Sequence, residues 1–133
     1  MSPPDRLRPH PTERFSQPAQ LVDLNQVAAG LRAEPHPAIS GHRQIAAFRH
    51  GPVTLVLFVF EPGGLLKEHR AEGVVTIHAL SGQLVVVVDE DELHEVAAGQ
   101  FLALAPGVPH SVRATVASEV LLTVYRTDAA PGQ

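Results

Sequence analysis

From residue 40 to residue 126 the chain repeats one grammar, a short apolar run followed by a turn and then another apolar run. The runs are RQIAAFRH (43–50), VTLVLFVF (53–60), VVTIHAL (74–80), LVVVV (84–88), LHEV (93–96), FLAL (101–104), HSVRATV (110–116) and VLLTVYR (120–126), with turns such as EPGG, SGQ, AAGQ and APGVP between them. β-Branched residues suit a pleated surface, and turn signals every 8–12 residues or so are the pattern of an all-β sandwich or barrel. The high Val and Leu density suggests strands buried on both faces. No helical period interrupts the series, so a parallel sheet with helical crossovers does not fit. One stretch differs. In AQLVDLNQVAAGLRAE, Leu21, Leu24, Val27, Ala28 and Leu31 recur at spacings of three and four, which predicts a single short N-terminal helix resting on the barrel.

The 133 residues suffice for one domain. Residues 1–18 hold five of the twelve prolines and no apolar period, so they are expected to form a disordered or loosely docked tail, with residues 19–133 as the domain. Aromatic residues are only 5% and tryptophan is absent, so the core must come from Val, Leu, Ile and Ala. A net charge of −4 without a basic stripe argues against nucleic acid and against an anionic membrane surface. The polar, proline-rich start carries no secretory apolar segment, and no apolar run approaches the roughly 20 residues of a membrane helix. A cytoplasmic protein is the expectation.

The chain has no cysteine, which leaves His, Asp and Glu as the only metal-ligand candidates. Asp89-Glu90-Asp91-Glu92 lacks the interleaved spacing of a calcium loop and reads as a solvated hairpin tip that discourages edge aggregation. Gly63-Gly64 reads as a tight turn, since no Lys-Ser or Lys-Thr follows it to open a phosphate loop.

Two stretches carry a family resemblance. PGGLLKEHRAEGVVTIHALSGQL (62–84) resembles the first cupin motif, in which a glycine leads to His-x-His, a Glu and a closing Gly. His69 takes the first histidine and Gly82 the closing glycine, while Ala71 and Val75 stand where the family has its second histidine and its glutamate. GQFLALAPGVPH (99–110) resembles the second motif, with Gly99, Gly107 and His110 in register, Ala105 at the proline and Ala114 at the Asn. The resemblance spans about residues 40 to 126. It implies a cupin-type double-stranded β-helix, a jelly-roll barrel, with His110 aimed into its mouth. It also implies a divalent metal (Fe, Mn or Zn) on His69 and His110, with His78 and Glu72 as candidates for a missing donor. Strand alternation places Val75, Ile77 and Ala79 inward and His78 outward.

Three readings remain open at this level. The first is a small-molecule-binding cupin with a degenerate metal site. The second is a metal-dependent enzyme of dioxygenase or isomerase type, by fold-level analogy. The third is an assembly role, in which VTLVLFVF and the helix bury a homodimer interface. As a group at a turn edge, His110 is expected to contribute little to folding stability.

Overall fold

The computed structural model describes residue 15 and residues 17–127. Most of the tail expected at residues 1–18 lies outside the described residues. Among the described residues nine strands follow one helix: α1 (Leu24–Arg32), β1 (His42–His50), β2 (Val53–Phe60), β3 (Leu65–His69), β4 (Gly73–Ser81), β5 (Gln83–Val88), β6 (Glu92–Ala97), β7 (Phe101–Leu104), β8 (His110–Ala114) and β9 (Ser118–Arg126). They form a five-stranded sheet in the order β1-β2-β9-β4-β7 and a four-stranded sheet in the order β3-β8-β5-β6. Every pairing is antiparallel. The all-β class and the jelly-roll arrangement expected from the sequence are both present.

The two sheets enclose the main core. Val75, Ile77 and Ala79 of β4 face it, as do Leu84 and Val86 of β5 and Val112 and Ala114 of β8. The residues between them, Val74 and His78 among them, turn to the outer side. That is the period of two that sequence alternation predicts.

β2 breaks this alternation for a physical reason. Its last four residues are all buried. Phe58 and Phe60 enter the main core, whereas Leu57 and Val59 lie on the opposite face under Ala28 and Leu31 of α1. A continuous apolar run thus serves two cores, and full burial of a side chain such as Leu57 contributes about 1.5–3 kcal/mol. Leu57 and Val59, on the face that VTLVLFVF presents away from the barrel, are thus covered by the chain's own helix.

The sequence reading extends the helix too far back. α1 starts at Leu24 because Asp23 caps it, its side chain accepting hydrogen bonds from the amides of Asn25 (3.0 Å) and Gln26 (3.2 Å). Leu21 precedes the cap and is 99% exposed, so it is not part of the apolar face. The sequence also misses β3. Its five residues, LLKEH, pair only with β8 across an irregular register and show no alternation, and they read as the arm of a turn.

Gly82 joins β4 to β5 at φ +86°, a left-handed conformation that disfavours a side chain. A Cβ there would lie 2.1 Å from Ser118 Oγ and 2.6 Å from the Ala117 carbonyl. The Ser118 hydroxyl is committed at that spot, accepting from the Gln83 amide (3.1 Å) and donating to the Val116 carbonyl (2.8 Å). The closing glycine of the first motif is therefore a requirement of close packing.

Candidate functional site

His69 ends β3 and His110 begins β8, and the two are direct partners in the strand register. Their ring centroids are 4.2 Å apart with the planes tilted by 58°. On its other side His110 pairs with Val88 of β5. The turn before it, APGVP, is held from two directions. The Gly107 amide donates to the Ala71 carbonyl (2.9 Å) in the loop after β3, and the Asp89 amide at the β5–β6 tip donates to the Pro109 carbonyl (3.0 Å). Gly107 supplies the positive φ (+79°) that the bend needs. The bend delivers His110 inward, where it is 1% exposed, while His69 is half-buried. The expectation of a turn-edge group that matters little to the core is therefore corrected. His110 ranks among the largest fully buried side chains of the described residues.

The two rings are anchored alike. His110 Nδ1 lies 3.0 Å from the Val108 carbonyl oxygen, and His69 Nδ1 lies 2.9 Å from that of Lys67. A carbonyl oxygen only accepts, so each Nδ1 carries the proton and donates it. In the neutral ring the lone pair is then left on Nε2. His110 Nε2 is buried and has no hydrogen-bond partner among the described residues. Burial pushes the His110 pKa below its ordinary value, and the neighbouring His69 acts in the same direction against the opposing bond to Val108. His110 is therefore a neutral imidazole with a buried acceptor unmet by the protein. Leaving such a group without a partner costs about 1–3 kcal/mol.

The other sequence candidates go elsewhere. Ala71 packs against the core and Val75 is buried in it, so carbon stands at both positions where the resemblance expects donors. His78 is on the outer face of β4, its ring edge-on to Phe101 at 6.5 Å, as strand alternation requires. Glu72 is exposed, and its carbonyl accepts from the Thr127 amide at 3.1 Å. Among the described residues no group of three or more His, Asp or Glu side chains is placed to hold a metal ion. The structure thus brings His69 and His110 together and adds neither His78 nor Glu72 to them.

A family model for the cupin domain matches residues 56–125, which span both motif histidines. The chain belongs to the cupin family. Among solved structures, this cupin is similar to a protein from Thermus thermophilus at 27% identity and a TM-score of 0.65, covering 81% of this chain and 99% of that one. It is similar to a conserved protein of unknown function from Streptococcus pyogenes at 24% identity and a TM-score of 0.65, covering 83% and 90%. A cupin superfamily protein from Desulfitobacterium hafniense matches at 18% identity and a TM-score of 0.65, covering 85% and 95%. No curated protein matches. These likenesses agree on the cupin fold and carry no ligand or reaction to this cupin.

Sequence reasoning passed over Arg43 in β1. Its Nη1 is buried without a hydrogen-bond partner, the second such side-chain atom among the described residues. The signal was there: Arg43, Ile45 and Ala47 alternate, which puts a guanidinium on the same face as two apolar neighbours.

Proposed function

We propose that this cupin binds a small organic molecule in its barrel mouth, with His110 and His69 as the polar groups that orient it. One observation carries the reading. His110 Nε2 is a buried lone pair, the protein offers it no donor, and a second imidazole anchored in the same way lies beside it. A ligand hydroxyl or N–H donating to Nε2 would relieve the cost of that burial. Leu66, Ala71 and Val108, partly buried against the core, supply apolar surroundings. An apolar pocket with a few convergent polar groups is the usual make-up of a small-molecule site.

The residues do not fit a resident Fe, Mn or Zn ion. Such ions are held by three or four protein donors, commonly including a carboxylate. Here there are two imidazoles, and carbon occupies the positions where the family's first motif has its second histidine and its glutamate. The metal-dependent enzyme reading needs a third donor that neither Glu72 nor His78 provides. A homodimer belongs to the same proposal, and equilibrium sedimentation of the full chain tests it.

The test is the content of tag-free protein purified without added metal. Metals are counted by plasma mass spectrometry, and organic molecules released on denaturation are identified by mass spectrometry. The expected result is a stoichiometric organic molecule, absent from His110→Leu, with metal far below one per chain. Near one metal per chain, lost in both His69→Ala and His110→Ala, would overturn the reading and require a further donor.

A further inference from the structure

Arg43 presents a second unmet polar group, remote in register from the histidine pair. It lies on β1 opposite Val59 and on the side of the sheet that carries α1. A cavity of about 280 Å³ opens beside it, walled by Val59, Phe60, Pro62 and Ala117 and bearing the side chains Arg32, Arg43 and Glu61. Arg32 is already engaged by Glu119 at 2.7 Å. Arg43 Nη1 is buried and has no hydrogen-bond partner among the described residues. A guanidinium cannot shed its proton, so burying part of it calls for an acceptor.

We propose that Arg43 anchors a small organic monocarboxylate in this cavity. A planar carboxylate matches the guanidinium fork and can engage two of its N–H groups at once. The apolar walls favour a ligand whose body is a ring or short chain rather than a bare ion. With Arg32 matched to Glu119 and Glu61 offsetting Arg43, the cavity is neutral overall, so recognition rests on the guanidinium fork and the apolar walls rather than on surplus charge, and a doubly charged phosphate is disfavoured. Arg43 also borders a second cavity of about 290 Å³, whose lining includes Glu34, His36 and Ile39. The volume lies near the lower end of the roughly 300–1,000 Å³ typical of ligand pockets, which suits a benzoate-sized molecule.

The experiment titrates sodium benzoate, benzamide and inorganic phosphate separately into the full chain, read by amide chemical shifts. Benzoate is expected to bind with saturable shifts at Val59, Glu61 and Ala117 and none at His110, and benzamide and phosphate much more weakly. Arg43→Met should weaken benzoate by about tenfold or more, as loss of a charge-assisted bond implies. Should Arg43→Met fail to fold, Arg43→Lys keeps the charge but loses the fork, and benzoate should still weaken severalfold. No saturable benzoate binding by the wild type overturns the proposal. So does equal affinity in whichever variant folds, or a shift pattern centred on His110.

Discussion

Replacing His110 by leucine separates a histidine kept for stability from one kept for a ligand. Three contributions change. The bond from Nδ1 to the Val108 carbonyl is lost, at about 1 kcal/mol. The unpartnered Nε2 disappears, which returns about 1–3 kcal/mol. An aliphatic side chain at a site only 1% exposed adds a further gain of about 1 kcal/mol. The sum runs from about 1 to about 3 kcal/mol more stable than wild type. His110→Ala also removes Nε2 but leaves the space empty, so it should fall about 2–4 kcal/mol below His110→Leu. The chain has no tryptophan, so the assay is denaturant unfolding followed by far-ultraviolet circular dichroism. In melting temperature the gap between the two variants is roughly 4 °C per kcal/mol. A His110→Leu protein less stable than ligand-free wild type by more than about 2 kcal/mol would refute the reasoning, because Nε2 must then have a partner within the protein itself that leucine cannot replace.

Acidification follows from the lowered His110 pKa. In the unfolded chain this histidine takes up a proton near pH 6.5, while the folded chain resists until lower pH, so its stability contribution is complete above about 6.5 and is lost as pH falls toward the folded pKa. Wild type should lose stability relative to His110→Leu over that window, by at most about 1.4 kcal/mol per pH unit, and parallel pH profiles of unfolding would contradict it. Leu31→Ala should cost about 2–4 kcal/mol by opening a cavity between α1 and β2, with chemical-shift changes confined to Ala28, Leu57, Val59 and their neighbours. Gly82→Ala combines a left-handed backbone with contact at Ser118 Oγ, and a loss of roughly 2–4 kcal/mol in chemical unfolding is expected.

The fold was readable because its main signals are local. Alternating Val75, Ile77 and Ala79, and turns such as SGQ and APGVP, each declare a strand or its end without reference to the rest of the chain. β3 was not readable because what makes LLKEH a strand is its pairing with β8, a contact made across 41 residues at His69 and His110. The start of α1 was misplaced because spacing alone admits Leu21, whereas the Asp23 cap decides the boundary. At the site, motif register found both histidines. It could not find that His110 is buried, since that depends on a turn whose bonds run to Ala71 and Asp89, both distant in the chain. Arg43 was in view as a charge on an apolar face and was passed over because no motif includes it.

Among the described residues, the turn that aims His110 is tied down by two cross-loop backbone bonds, Gly107 to Ala71 and Asp89 to Pro109, rather than by a full strand ladder. Each contributes about 0.5–1.5 kcal/mol, a small fraction of what the barrel's ladders hold together. The mouth can therefore open by releasing two backbone contacts while the sheets stay closed, a local fluctuation much more frequent than global unfolding. A molecule seated on His110 would come and go at the rate of this latch. The amide protons of Gly107 and Asp89 would set the clock, exchanging with solvent well before those of the β4 and β9 core.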